Sequence, residues 1–438
     1  MKVHTIGGYE EVGRNMTAVE VDGKAVIFDI GFEMEEVIAA DEDVSDMTTN
    51  QALDTGAIPR DAQLFDNDVN VVGIVIGHGH LDHVGAIPKL AGSYSAPIVC
   101  TPYTAEVVEM QIDDDRKNVS NEIVRVSKGE TFDFGQGFEL EFVDVNHSIP
   151  QTVLSILDTP DGKAVYGNDM KIDRNPVEEK TTNIERLEEI GDEGVKTMIP
   201  GTTRVGEDGR TRSEQAVAVE LEDVLKSCYQ AGGAVFISTF SSQIARLNTI
   251  LEANGGKRKV AFLGRSLKEY AHAAEQLDLI DLSQVEVASY YDECEDVMRR
   301  VDNNPEEYLV VATGHQGEPG AQLDKIASGQ YPFDFEKGDH MIFSSHVIPT
   351  PPTEANRYQL DKKLKSQGVR IYEDIHTSGH ARKEDHREFI KLLRPENIVP
   401  SHGGIHQLGD YVELAREEGY ELNKDVFISS NMATLELD

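Results

Sequence analysis

Tryptophan is absent from this 438-residue chain, aromatic residues make up 7%, and cysteine occurs three times. Cys100, Cys228 and Cys294 are widely spaced and odd in number. They form neither a disulfide framework nor a zinc knuckle, and a reducing cytoplasmic compartment fits. No apolar run approaches ~20 residues, which argues against a membrane-spanning helix, and Met1-Lys-Val-His4 does not read as a signal peptide. Short repeats and low-complexity tracts are also missing. Basic residues are scarce: 41 Lys and Arg stand against 79 Asp and Glu, for a formal charge of -38. Nucleic-acid enzymes are usually basic, so the balance alone speaks against one. A halophilic cytoplasm is the competing explanation, because ~1 M salt screens charge to about 3 Å and surface acid keeps a protein soluble there. The runs Glu33–Glu36, Asp41–Asp43, Asp113–Asp115 and Glu293–Asp296 are then expected to be mostly solvated faces.

What the chain does contain is His78-Gly-His-Leu-Asp-His-Val-Gly-Ala86, directly after the apolar run Val71–Ile76. That run is β-rich and bounded by glycine, so it predicts a buried strand. His78, His80, Asp82 and His83 thus sit on a short loop at a strand end, the signature of a dinuclear metal site. Alternation puts His78 and His80 on one side, and the turn displaces Asp82 and His83. Imidazole suits zinc, and a carboxylate can join as an oxygen ligand. Further ligands are sought where apolar runs break into glycine or polar residues. His147 after Phe138–Val145, Asp169 after Ala164–Tyr166 and His402 after Ile398–Ser401 meet that condition.

Taken with these motifs, the chain resembles the metallo-β-lactamase-fold nucleases of the β-CASP group, most closely those of archaeal ribonuclease J type. The resemblance covers nearly the whole length. Gly7–Met16 and Ile27–Gly31 resemble the opening hairpin and first motif, with Asp29 as its acid. Residues 78–83 carry the His-x-His-x-Asp-His motif, while His147 and Asp169 fit the third and fourth. Ser238–Ser241, Gly264–Leu267, Thr313–Pro319, His376–Ala381 and Pro400–Gly404 resemble the inserted domain and its B and C motifs.

The resemblance implies an α/β fold: a metallo-β-lactamase αββα sandwich with an inserted parallel α/β β-CASP domain. Residues 1–205 and 374–438 would form the sandwich and 206–373 the insertion, with substrate bound where the two meet. It implies two zinc ions per subunit, manganese or magnesium being alternatives. One ion would take His78, His80 and His147, the other Asp82, His83 and His402, with Asp169 bridging. Such a pair activates a hydroxide nucleophile. His380 would be the general acid; Asp82 and Asp29 would complete the catalytic set, Asp29 by orienting the ligand loop. RNA phosphates would meet Ser238, Ser241, Gly264, Arg265, Ser266, His376, Ser378 and Gly379. Read alone, Gly264–Leu267 and Thr313–Glu318 are strand-to-helix turns. Arg204, Arg210, Arg212, Arg246, Arg265, Arg382 and Lys383 are expected to line the substrate channel.

One departure stands out. The family's motif A acid falls on Pro200 or Gly201, within Thr197–Arg204. His380 would then be a weaker acid, or Glu207, Asp208 or Glu214 would compensate. The expected function is a zinc-dependent ribonuclease, 5′-to-3′ and preferring 5′-monophosphate ends. An RNA endonuclease resembling the cleavage and polyadenylation factors, and a catalytically weak RNA-binding protein, stay open. So does a small-molecule metallohydrolase, although the long insertion and the His380 motif speak against it. The expected partner is RNA and not a membrane; the resemblance also admits a homodimer and RNA-decay or ribosome-associated proteins.

Locally, Ser213 is expected to cap an amphipathic helix over 213–230. Strands at 234–238, 259–263, 309–312, 340–344 and 369–372 alternate with helices, which predicts a parallel sheet. Phe132–Phe138 predicts a hairpin turn, and His376 to the C-terminus is expected to return to strands and loops.

Overall fold

The structure is a computed structural model that describes residues 1–39, 44–115, 119–177 and 179–437. It divides into two compact units: Met1–Arg174, Glu179–Thr211 and Ser378–Asp438 form one, and Asn175–Glu178 and Arg212–Thr377 the other. The sequence placed these breaks at 205/206 and 373/374.

The first unit holds two sheets. One runs Ala433–Glu436, Lys2–Gly7, Met16–Val21, Lys24–Phe28, Asn70–Ile76, Ile98–Cys100, Ile123–Arg125 in spatial order. Its last four strands are parallel neighbours. Asn70–Ile76 lies between two of them, which is why its apolar run is nearly unbroken. The other sheet runs Asn397–Ile398, Thr197–Pro200, Gly162–Gly167, Val153–Thr159, Phe138–Asp144, Thr131–Gly135. The hairpin expected at Phe132–Phe138 closes its edge.

Val19, Phe28 and Val75 pack against Leu140, Leu157 and Tyr166 between the sheets. The Phe28 and Tyr166 rings stack at 4.8 Å. Helices Ile184–Glu193, Lys383–Leu393 and Ile405–Glu417 cover the outer face of the second sheet through Leu187, Phe389, Leu393 and Leu414. The last two helices correct the expectation of strands and loops after His376. Lys383–Leu393 begins where the Asp385 carboxylate accepts the Arg382 and Thr211 N–H groups, and its apolar residues face one side.

The second unit is a six-stranded parallel sheet in the order Val285–Ala288, Lys259–Leu263, Tyr308–Ala312, Val235–Ser238, His340–Phe343, Arg370–Tyr372. Ser213 caps helix Glu214–Ala231, its hydroxyl accepting from the Gln215 N–H. Sequence reading missed Val285–Ala288, a short edge strand that carries Glu286 and so shows no apolar run.

The acidic runs are only partly solvated. Glu33 is buried, and burial, with Glu11 nearby, pushes its carboxyl up to about 7. Asp115 pairs with the Lys89 ammonium at 2.6 Å. Asp113, Asp114, Glu293 and Asp296 are exposed as expected, and Asp41–Asp43 lies outside the described residues.

Candidate metal centre

The turn His78–His83 leaves the carboxyl end of Asn70–Ile76, and its backbone is pinned by neighbouring strand ends. N–H groups of Asn15, Ile30 and Phe32 donate to the carbonyls of Asp82, His83 and Leu81. Asn146 bridges to Lys171, which brings His147 beside the Asp169 loop. His402 follows Ser401, itself bridged to Gly201, in the left-handed region at φ 51°.

The seven expected ligands come together in two groups. His78, His80, His147 and Asp169 form one, and Asp82, His83, Asp169 and His402 the other; the ligand atoms of each lie within 4.8 Å of one another. Asp169 Oδ2 stands 3.5 Å from His78 Nε2 and 3.4 Å from both His83 Nε2 and His147 Nε2. Asp169 Oδ1 is 3.2 Å from His402 Nε2, yet both atoms are buried without a hydrogen-bond partner among the described residues. His80 Nδ1 lies 3.2 Å from His78 Nε2 and 3.1 Å from His147 Nε2. Four ligands around zinc at ~2.0–2.1 Å would be about 3.3 Å apart. Spacing and orphaned atoms therefore both fit metal ions.

The electrostatics agree for every ligand but His83, which burial would lower but Asp82, Asp29 and Asp169 together raise above the usual histidine range. Burial pushes His78, His147 and His402 below the usual histidine range and His80 to about 3, so these rings are neutral, as ligation requires. Burial would raise Asp82 and Asp169, but the facing histidines outweigh it and hold both below the usual carboxylate range.

Asp29 is outside both groups. Its carboxylate accepts from Gly77 N–H at 3.0 Å, His83 Nδ1 at 2.7 Å and the Tyr166 hydroxyl at 2.8 Å. Sequence reading gave no role to the amides around it. The Gly13 N–H donates to His402 Nδ1 at 3.2 Å, and the Asn15 amide packs against the same nitrogen, its Nδ2 at 2.8 Å and its Oδ1 at 3.0 Å, so the ring is held with Nε2 toward Asp169. Asn168 ties Asn15, Tyr166 and Ser401 together. The available signals were the position of Asn15 in Gly7–Met16 and of Asn168 next to Asp169.

His380 reaches the same place. Its Nδ1 is 3.4 Å from Asp169 Oδ1, and its side chain is 24% exposed. The loop around it is clamped: Ser378 Oγ accepts the His380 N–H, and Thr211 Oγ1 donates to the His380 carbonyl at 2.7 Å. Gly379 C=O accepts from His147 Nδ1 at 2.8 Å, and a Cβ on Gly379 would lie 2.5 Å from that nitrogen. The motif A position is equally tight, since a Cβ on Gly201 would lie 1.9 Å from the Asn168 carbonyl oxygen. The acids expected to compensate are engaged elsewhere: Glu207 pairs with Arg204 and Arg382, and Glu214 with Arg246 in the second unit. Asp208 is exposed.

The phosphate candidates scatter more. Ser241 and Ser266 hydroxyls meet at 3.0 Å, at the start of helix Arg265–Glu275 after Gly264. Ser238 is fully buried and donates to the Ala312 carbonyl, so its hydroxyl is spent inside the sheet. His376 Nε2 lies 3.0 Å from His346 Nδ1. The basic channel group needs correction. Arg246 is fully buried, and the other side chains pair with acids: Arg204 with Glu207, Arg210 with Asp385, Arg212 with Glu220, Arg265 with Glu269, Arg382 with Glu207, Lys383 with Glu417. With 79 acids against 41 bases, a surface cation in this chain readily finds an acidic neighbour.

Known proteins resemble this chain. Residues 51–217 match the beta-lactamase superfamily domain, 232–359 the beta-CASP domain of ribonuclease J, and 369–429 the RNA specificity domain of Zn-dependent metallo-hydrolases. A ribonuclease J from Pyrococcus abyssi is 42% identical over 100% of this chain and 97% of its own length. One from Methanocaldococcus jannaschii is 40% identical over 98% and 97%. A solved structure of a protein of unknown function from Enterococcus faecalis V583 shares the fold, with a TM-score of 0.67 at 16% identity over 99% of each chain. No helix among the described residues is long and apolar enough to cross a membrane. The chain belongs to the ribonuclease J family, with the metallo-β-lactamase and β-CASP domains of that family.

Proposed function

We propose that this metal-dependent ribonuclease is a two-zinc, 5′-to-3′ exonuclease that prefers 5′-monophosphate ends and works in a salt-rich cytoplasm. Ribonuclease activity follows from family membership. The observation that carries the two-metal reading is the pair of ligand groups sharing Asp169, with His380 Nδ1 at 3.4 Å from that carboxylate. When bound, two zinc ions supply a water of lowered pKa and positive charge opposite the phosphate. His380 gives its proton to the departing 3′-oxygen. Asp29 holds His83 in the tautomer that frees Nε2.

Support for end recognition comes from the second unit, where the Ser241 and Ser266 hydroxyls and the amides after Gly264 offer directed donors to a terminal phosphate. Ser378 and Gly379 are the candidates on the first unit. Directed donors suit a chain of charge -38 in which Arg204, Arg210, Arg212, Arg265 and Arg382 pair with acids, because concentrated salt removes most of the counterion-release drive for phosphate binding. The buried free thiols Cys100, Cys228 and Cys294 suit a reducing compartment.

The test is a timed digestion of RNA bearing a 5′-monophosphate, triphosphate or hydroxyl, with zinc or manganese at high salt. The earliest product from 5′-labelled RNA is expected to be a mononucleotide, fastest from the monophosphate. Efficient cutting of circular RNA, with no effect of 5′ chemistry on linear RNA, would replace this reading by an endonuclease.

A further inference from the structure

The second unit has a topological switch point. Strands Val235–Ser238 and His340–Phe343 are parallel neighbours. The chain leaves the first toward Lys259–Leu263 on one side and the second toward Arg370–Tyr372 on the other. In open parallel sheets such a divergence opens a crevice at the carboxyl ends of the two strands, where ligands bind.

Four rings converge on that crevice, each from a different strand end. Phe240 follows Val235–Ser238, and its centroid is 4.3 Å from that of His315, which follows Tyr308–Ala312. His346 follows His340–Phe343 and lies 5.5 Å from Phe240. His376 lies 5.9 Å from Phe240 and 4.9 Å from His346. His346 is exposed, and Phe240 and His376 are half-buried. The backbone that carries the exposed ring is also held in place. The Gln316 amide donates to the His346 carbonyl and accepts from the Ile348 N–H, both at 3.0 Å. At the floor, His315 is 9% exposed, and its Nε2 has no hydrogen-bond partner among the described residues. Burial pushes His315 down to about 3, so it stays neutral.

We infer that Phe240, His346 and His376, over the buried His315, form a platform that stacks one nucleobase of the RNA. A planar uncharged base matches a crevice of ring faces with a neutral polar floor, and His315 Nε2 is available to its edge. Stacking tolerates any base and is not screened by salt, unlike a phosphate contact. Ser241, next to Phe240, meets Ser266 at 3.0 Å. The stacked base is therefore that of the nucleotide whose phosphate these serines hold. Its identity as the 5′-terminal nucleotide rests on the exonuclease reading above.

An abasic scan tests the platform. A single abasic nucleotide is moved along a 5′-phosphorylated RNA, and kcat/KM is measured for the wild type, Phe240→Leu, His346→Gln and Phe240→Tyr. Loss of the stacked base is expected to slow the wild type roughly 5- to 150-fold. Phe240→Leu and His346→Gln should treat base-bearing and abasic RNA nearly alike at that position, whereas Phe240→Tyr keeps its ring and should still discriminate. 2-Aminopurine at the same position gives a reading independent of turnover: its fluorescence should fall on rapid mixing with the wild type and not with Phe240→Leu. A scan with no discriminating position in the wild type, or ring-deleted variants that discriminate like the wild type, would overturn the platform. A discriminating position inside the strand would keep the platform and remove the 5′-terminal register instead.

Discussion

Asp29 Oδ2 accepts from His83 Nδ1 at 2.7 Å while its Oδ1 accepts the Gly77 N–H at 3.0 Å. One carboxylate thus orients a ligand ring and pins the backbone entering the His78–His83 turn. Asp29→Asn replaces one acceptor by an amide donor, which turns the His83 proton toward Nε2, the atom facing Asp169. Loss of such an orienting partner typically costs 10–100-fold in metal affinity. Chelator competition on the folded variant is expected to show a loss of that order. Wild-type affinity would reduce Asp29 to a fold-supporting role.

His80 makes a sharper case, because its Nδ1 sits between His78 Nε2 and His147 Nε2. The purified chain is expected to hold about two metal ions, and His80→Ala to lose one of them selectively. Equal metal content in wild type and variant would remove His80 from the ligand set.

The motif A acid is expected at Pro200 or Gly201, and at Gly201 the Asn168 carbonyl fills the space a side chain would need. Asn168 precedes Asp169, so displacing it disturbs the shared ligand. Gly201→Asp is expected to lower stability by about 1–3 kcal/mol, as overpacking does, and to weaken metal binding. Thermal unfolding and metal analysis would show both. A variant as stable as the wild type and faster on RNA would mean that the loop relaxes and that the lost acid can be restored.

How much of this the sequence disclosed differs from residue to residue. His78, His80, Asp82 and His83 share one short turn, so their spacing alone announces a metal site. His147, Asp169 and His402 come from three distant strand ends, and only the family pattern joined them to that turn. Asn15 and Asn168 escaped notice because an amide that positions a ligand looks in sequence like any loop amide. Arg246 was misjudged for a related reason: composition marks a cation but not its depth. The switch point of the second unit was also invisible, because strand order depends on which sides the helices cross, not on any motif.

Arg246 is buried with Glu214, its Nη2 2.7 Å from Oε2, while Nη1 donates to Ser344 and Ile375. Removing one partner strands the other charge in the interior, which typically costs ~3–5 kcal/mol. Arg246→Ala is therefore expected to lower the urea midpoint of the chain markedly. Arg246→Met combined with Glu214→Leu should recover much of it, since no buried charge is left alone. A double variant no better than Arg246→Ala would show that the donors to Ser344 and Ile375 matter more than the charge pair.

His380 is held by backbone contacts on both sides, and its side chain is only partly exposed. The test separates a general acid from a histidine that only positions the loop. His380→Ala is expected to lose 10²–10⁴-fold in cleavage rate, a typical contribution for a general acid, with metal content unchanged. RNA with sulfur in place of the scissile 3′-oxygen offers a leaving group that needs no proton. On that substrate the variant should fall behind the wild type by far less than on ordinary RNA. An equal deficit on both substrates would assign His380 to positioning, and a variant as fast as the wild type on ordinary RNA would place the acid elsewhere.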